Sequence, residues 1–343
     1  VGTWDAASIS PVVSTATTSY EWNGDSVAVV VDPFDPSTVW LGTGEMGLYK
    51  STDCGGSWTH VNNGTNGDAI DQSVLWSLII DPFNRGTIYV VGAYGAEGLW
   101  KSINGGNDWV QLFPDDSAWA QLVPYNFVNN VSMDPNDPQH LVVASHGVCN
   151  APYTNGCFAE SFDSGNTWPN IVGMPAPWGE KGGVQVINHT TWIWGTGGGI
   201  DGLWVTTTNG QSWTQALAGD VGDALGEFSL EPLAPASNGN YYVTSYEGVL
   251  RAAPDGGDWA LAWPQQNFVT PEVMGIVLSP TTIYAADNNS FYSAPLSSDS
   301  NWSSFPGPMG NTGQAEFLAY DPVHNLLYAS TWTAGLFRMT LPP

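Results

Sequence analysis

The stretch Gly47-Leu48-Tyr49-Lys50-Ser51-Thr52-Asp53-Cys54-Gly55-Gly56-Ser57-Trp58 joins a short alternating run to a turn that ends in tryptophan. Both halves recur along the chain. The first half, a glycine-apolar-aromatic-basic quartet, returns as Gly98-Leu99-Trp100-Lys101, Gly156-Cys157-Phe158-Ala159, Gly202-Leu203-Trp204-Val205, Gly248-Val249-Leu250-Arg251, Ser290-Phe291-Tyr292-Ser293 and Gly335-Leu336-Phe337-Arg338. Each copy opens an alternating run, as a half-buried strand does. The second half, S-x-D-x-G-x-[ST]-W, is intact again at residues 161–168. It persists with Asn104 at 102–109 and with Thr208 at 206–213, and worn copies end at Trp259 and Trp302. Its Ser and Asp side chains can satisfy turn N–H groups, its glycine supplies positive φ, and its tryptophan fills the space between sheets. The turn therefore reads as structural.

A second turn signal precedes each quartet: Asp32-Pro33, Asp81-Pro82, Asp134-Pro135, Asn188-His189, Ala234-Pro235, Ser279-Pro280 and Asp321-Pro322. The unit is strand A, turn, strand B, loop, quartet strand C, tryptophan turn, strand D. Seven such units predict an all-β fold, a seven-bladed β-propeller. The last quartet has no tryptophan turn after it, whereas Thr3-Trp4 looks like the tail of one. The N-terminal segment is thus expected to supply the outer strand of the last blade and close the ring. With no linker or shift in composition, residues 1–343 are read as one domain.

Of the 343 residues, 32 are acidic and 6 basic, a net charge of −26. Six cations cannot line a phosphate backbone, which excludes nucleic acid as a partner and disfavours anionic membranes. No apolar run reaches membrane-spanning length, and 42% hydrophobic residues argue against disorder. Cys149 and Cys157 bracket a loop that a disulfide can close, and Cys54 reads as a small buried filler. N-x-S/T sequons begin at Asn63, Asn130, Asn188, Asn288 and Asn301, and Val1-Gly2-Thr3-Trp4 has neither the charged nor the apolar region of a leader. These features predict a secreted, extracellular, monomeric glycoprotein whose signal peptide has been removed.

The order D-P, V-x-x-G-T, G-L-Y-K-S-x-D-x-G resembles the Asp-box (BNR) propellers. It is most similar to the xyloglucan-active glycoside hydrolases, including the oligoxyloglucan reducing-end-specific cellobiohydrolases. Residues 31–61 and their repeat at 80–112 carry the likeness, which fades after Trp213. The resemblance implies catalysis by one Asp from each of two facing propellers, three residues before a quartet glycine. Asp287, three before Ser290, is in that register, but the first repeat has Gly44 there with Glu45 beside it. This chain has residues for one propeller, so the resemblance implies half of that site. Sialidases of similar build grip a carboxylate with three arginines. Here Arg251 and Arg338 fill the quartet slot of Lys50 and Lys101, and Arg85 follows a D-P turn, so no triad remains.

In a propeller the B–C loops and D-to-A connections share one face, opposite the tryptophan turns. That face is expected to hold Glu227, Glu272 and Glu316, at equivalent blade positions, and Asp287, Glu45, Glu97, Asp201 and Glu247 from B–C loops. Crowded carboxylates shift one another's pKa, which provides a general acid and a general base. His146 lies in the longest B–C loop and Lys181 is the one basic residue at a blade entry. The other histidines, including His140, follow turns and are expected at the surface or in the turns themselves. Trp119, Tyr125, Tyr153, Trp178, Tyr246 and Trp332 are candidates for stacking on sugar rings. The longer connection from Trp109 to Asp134 places the binding groove near blades two to four.

Three functions fit. The first is a glycoside hydrolase on a plant or fungal cell-wall polysaccharide, using Glu227, Glu272, Glu316 or Asp287, which needs two carboxylates about 5 Å apart or about 6.5–9.5 Å apart. The second is a polysaccharide lyase on a uronic-acid glycan, with His146 as base, Tyr125 or Tyr153 as acid and Lys181 neutralising the substrate carboxylate, against the repulsion of an acidic protein. The third is a non-catalytic glycan-binding lectin or adhesion module. The partner in each is a polysaccharide or oligosaccharide. No metal-ligand motif, nucleotide loop or nucleophile elbow is legible, so neither metal nor other cofactor is expected.

Overall fold

A computed structural model describes residues 3–7, 26–114, 116–177, 182–196, 202–218, 233–245, 248–254, 256, 258–264, 273–287, 290–308, 315–331 and 335–342. These residues form seven antiparallel sheets arranged as the blades of a β-propeller. The first blade runs Ser26–Val31, Val39–Thr43, Leu48–Ser51, Thr59–His60. The second runs Val74–Ile80, Ile88–Ala93, Gly98–Ser102, Val110–Gln111. The third comprises Val128–Asp134, Asp137–Ser145, Cys157–Ser161 and Asn170–Gly173, and the fourth Val184–Asn188, Thr191–Thr196, Gly202–Thr206 and Thr214–Ala218. Three described strands, Tyr241–Ser245, Gly248–Ala252 and Trp259–Pro264, belong to the fifth. The sixth is Val273–Leu278, Thr282–Asp287, Ser290–Pro295 and Ser303–Pro306. The seventh, Ala315–Asp321, Leu326–Thr331 and Gly335–Thr340, takes Trp4–Ala6 as its outer strand. There Trp4 pairs with Met339, Asp5 with Arg338 and Ala6 with Phe337, so the ring closes as expected. Among the described residues no helix is long and apolar enough to cross a membrane.

The inner strands of the first three blades are buried on both faces because each blade is sandwiched between two others. Along Ser26–Val31, Val27, Val29 and Val31 join a cluster with Phe317, Ala319 and Tyr328 of the seventh blade. The alternate residues Ala28 and Val30 face Leu78, Ile80 and Val90 of the second. The period of two is kept, but both phases are apolar.

The tryptophan turns have the geometry their residues call for. Ser51 Oγ donates to Asp53 Oδ1 (2.7 Å) and accepts the Gly55 N–H (2.8 Å), while Asp53 Oδ1 accepts the Ser57 N–H (2.7 Å). Hydrogen bonds from Ser51 and Ser57 hold the Asp53 carboxyl down to about 2. Gly55 adopts φ 82°, where a side chain would be strained. In the degenerate copies Asn104 Oδ1 accepts the Asp108 N–H (3.0 Å) and Thr208 Oγ1 the Ser212 N–H (2.9 Å), so the turn survives loss of the charge. Trp109, at 1% exposure, shows what the turn delivers. Burying an indole of about 200 Å² stabilises by roughly 5 kcal/mol before entropy is counted.

The quartet's basic slot links blades. Lys101 Nζ donates to the Ser164 carbonyl in the next blade's turn (2.8 Å), and Arg338 donates likewise to the Cys54 carbonyl. Arg251 instead pairs with Asp299 of the next blade (2.7 Å). Lys50 lies over the Trp40 ring, and Arg85 bonds the Phe34 carbonyl (3.3 Å). Lys181 lies outside the described residues.

Three expectations need correction. His140 does not sit at the surface; it is fully buried, because its strand starts directly at the turn and carries the ring inward. Cys54 is only half-buried, held in the turn with its Sγ 3.6 Å from His324 Nδ1. The Asn130 sequon is closed to modification: its buried side chain bridges to Val184 of the fourth blade through both amide atoms. Asn63, Asn188 and Asn301 are exposed.

Candidate functional site

Backbone contacts sort the faces. The Cys54 N–H bonds the Ser37 carbonyl, Gly105 bonds Gly86, Ser164 bonds Gln139 and Asn209 bonds Thr190, so tryptophan turns and A–B turns share one end. At the other end the Glu45 N–H bonds the Ser73 carbonyl and His146 bonds Phe127, uniting B–C loops with D-to-A connections.

On that second face a cavity of about 340 Å³ opens between the second and third blades, lined by Ala96, Glu97, Gln111, Ala120, Tyr125 and Asn126. Glu97 and Ala96 come from a B–C loop, and Ala120, Tyr125 and Asn126 from the long connection that also forms the short helix Ala118–Leu122. Gly98 can have no side chain here: at φ 124° a Cβ would lie 2.9 Å from Asn126 Nδ2. Asn126 Nδ2 donates to the Phe113 carbonyl (2.7 Å), which leaves its buried Oδ1 without a hydrogen-bond partner. An orphaned buried acceptor of this kind costs about 1–3 kcal/mol.

Aromatic groups flank the cavity. Tyr125 is 86% exposed and Tyr94, in the same loop as Glu97, is 49% exposed. Both hold positive φ, 59° and 52°, a conformation that costs a bulky residue energy and recurs at functional sites. Behind them Trp76, Phe127 and His146 pack together, with ring centroids 4.2–5.4 Å apart. Burial pushes the His146 imidazole down to about 4, so it is neutral at ordinary pH, and its Nδ1 lies 3.1 Å from Asn129 Oδ1.

The residues singled out from sequence meet different fates. Tyr125 is at the cavity and His146 is in the aromatic layer beneath its rim. Trp119 faces inward at 1% exposure, stacked on Phe113 (5.0 Å), because the long connection builds a small core of its own. Neither face of that ring is open to a sugar. Tyr153 is half-buried inside the Cys149–Cys157 loop and donates its hydroxyl to the Ile171 carbonyl (2.7 Å), which commits the proton assigned to lyase chemistry. Asp287 is fully buried; its Oδ1 accepts the Ser290 N–H (2.6 Å) and its Oδ2 the Tyr292 hydroxyl (2.7 Å). It stands where Thr43, Ser245 and Thr331 close the same hairpin in other blades through their hydroxyls. Glu316 lies in the strand Ala315–Asp321, with its side chain outside the described residues. Glu227, Glu272, Lys181, Trp178, Tyr246 and Trp332 also lie outside them, as do Asp201 and Glu247. Sequence reasoning placed Tyr94 among the aromatics of this face but missed Gln111 and Asn126; nothing but a three-dimensional neighbourhood joins residues so spaced.

These features define a propeller with a polar cavity and exposed tyrosines on its loop face. No family model matches the chain. Its sequence is similar to glycoside hydrolases active on xyloglucan. It is 33% identical over 175 residues to a probable oligoxyloglucan-reducing end-specific xyloglucanase of Neosartorya fischeri, covering 50% of this chain and 19% of that protein. To a xyloglucanase of Hypocrea jecorina it is 22% identical over 307 residues, 78% of this chain and 36% of that one. The chain thus spans well under half the length of these relatives. Among solved structures, the GH74 enzyme of Niastella koreensis superposes with a TM-score of 0.65 at 14% identity, over 94% of this chain and 53% of that one. YCF48 from Cyanidioschyzon merolae gives 0.62 at 10%, over 99% of both chains. Likenesses at such identities establish the fold alone.

Proposed function

We propose that this protein is a glycoside hydrolase acting on a xyloglucan-type plant cell-wall glucan, bound across the loop face at the junction of the second and third blades. The observation that carries the reading is the cavity itself. It brings Glu97, exposed Tyr125 and Asn126 together around one opening, on a chain whose relatives are named xyloglucanases. Exposed rings stack on sugar faces, and a carboxylate can serve as acid or base. A neutral glucan also avoids the repulsion that a uronic-acid chain meets from a protein of net charge −26. The disulfide between Cys149 and Cys157 supports an extracellular setting.

Hydrolysis needs a second carboxylate, for which Glu316, Glu227 and Glu272 remain candidates by register, Asp287 being buried and committed to its hairpin. The test is incubation with xyloglucan, mixed-linkage glucan and polygalacturonate, reading new reducing ends and the ultraviolet absorbance of an unsaturated product. Reducing ends from xyloglucan, lost on substitution of Glu97 or one of the other three by its amide, are expected. Unsaturated product from polygalacturonate would mark a lyase, and binding without turnover a lectin; either outcome overturns the proposal.

A further inference from the structure

At the opposite face, in the seam between the third and fourth blades, His140 is buried between two buried carboxylates. Its Nε2 lies 2.9 Å from Glu160 Oε1 and its Nδ1 3.3 Å from Asp134 Oδ2. Glu160 is held as an acceptor by two amides, Asn209 Nδ2 on Oε1 (2.7 Å) and Asn170 Nδ2 on Oε2 (2.6 Å). A carboxylate so placed fixes the imidazole proton on Nε2. The other ring nitrogen, Nδ1, faces Asp134 Oδ2, whose partner Oδ1 already accepts the Asn136 N–H (2.8 Å). Either a ring N–H or a metal ion can bridge this contact, and at 3.3 Å it is longer than the 2.7–2.9 Å to which a charge-assisted N–H···O bond closes.

Geometry indicates which cation. Zinc binds nitrogen and oxygen at about 2.0–2.1 Å in a tetrahedron, whose edge is then about 3.3 Å. The Nδ1–Oδ2 separation matches that edge. Elsewhere the same aspartate of the A–B turn meets a donor: Asp32 Oδ2 accepts Trp40 Nε1–H (3.1 Å), and Asp321 Oδ2 lies at the short distance of 2.6 Å from His324 Nδ1. A third ligand is at hand. His189, exposed in the fourth blade's A–B turn, has its ring 4.9 Å from that of His140, and the ligand atoms of Asp134, His140 and His189 all lie within 4.8 Å of one another.

We propose that Asp134, His140 and His189 bind one divalent cation of the zinc type, with Glu160 orienting His140 from behind and water as fourth ligand, so that the metal pins two blades together. No local motif advertises the site, because its ligands come from two blades.

The test uses the full chain, freed of any affinity tag, stripped with chelator and titrated with Zn²⁺ against a chromophoric competitor, with melting temperature followed in parallel. The expected result is one zinc per chain and a melting temperature that rises with zinc. His189→Ala, at an exposed position, should abolish both effects while leaving the metal-free melt unchanged. Glu160→Gln should weaken zinc binding about 10–100-fold. Cys54, Asp321 and His324 form another possible ligand group, so Cys54→Ser/His324→Ala is the control and should keep the zinc. Absence of stoichiometric zinc, equal binding by His189→Ala, or loss of zinc in the control variant overturns the proposal.

Discussion

Replacing Cys149 and Cys157 with alanine tests how the longest B–C loop is held above the third blade. The disulfide closes a loop of sequence separation 8. The chain-entropy relation puts the loss on cutting so short a loop at about 2.5 kcal/mol at 25 °C. The folded loop has independent anchors: Cys149 N–H to the Asn155 carbonyl, Asn150 N–H to Leu122, Met174 N–H to Gly156, and the Tyr153 hydroxyl to Ile171. The native conformation should therefore survive, and the effect should act through the unfolded chain. For 343 residues the unfolding entropy is about 720 cal/mol/K, so 2.5 kcal/mol corresponds to a fall of about 3–4 °C in Tm. Calorimetry of the variant against the oxidised protein measures it, with limited proteolysis reporting on the loop. A change under about 1 °C would refute the entropic argument. A fall above about 10 °C, or new cleavage between residues 149 and 157, would refute the claim that hydrogen bonds alone keep the loop in place.

Other positions separate roles that sequence had grouped together. Trp119→Ala removes a buried ring and should cost about 3–5 kcal/mol in urea melts. Tyr125→Gly relieves a positive φ and should leave the Tm equal or higher while weakening xyloglucan oligosaccharide binding; unchanged binding would remove Tyr125 from the site. His146 has a folded pKa of about 4, below its ordinary 6.5. Its contribution to stability is intact above pH 6.5 and declines as pH falls towards 4, by up to about 3 kcal/mol, since the unfolded chain binds the proton first. His146→Gln should flatten that part of the stability–pH curve, and a His146 NMR titration midpoint near 6.5 would contradict the burial argument. Lys101→Met should cost about 1–2 kcal/mol through a half-buried bond to the Ser164 carbonyl, and Arg251→Met under about 1, because that guanidinium is 41% exposed. Urea midpoints in the reverse order would contradict the ranking.

The architecture was legible because its signals are local and repeated. The quartet and the tryptophan turn specify backbone conformation within a dozen residues, and seven copies leave few ways to arrange them. Ring closure by Trp4–Ala6 was readable for the same reason, as the missing piece of a counted set. The site was less legible, since a repeat says where a residue sits but not where its side chain is used. Asp287 has the register of a catalytic group and the hydrogen bonds of a hairpin brace. Trp119, in an insertion, was expected to be free of the core, yet the insertion makes a core with Phe113 and Trp168. His140 followed a turn, like the exposed histidines, but its strand begins sooner. In each case the deciding neighbour comes from a distant part of the sequence.

The links between blades through Lys101 and Arg338 end on peptide carbonyls rather than carboxylates. Carbonyls do not titrate, so acid that neutralises the surface leaves these links in place. Asp53, held at about 2, keeps its turn braced over most of the same range. Lowering the pH thus removes the mutual repulsion that a net charge of −26 provides before it loosens these seams. Near its isoelectric point the protein has lost its repulsion while these two seams and this turn still hold.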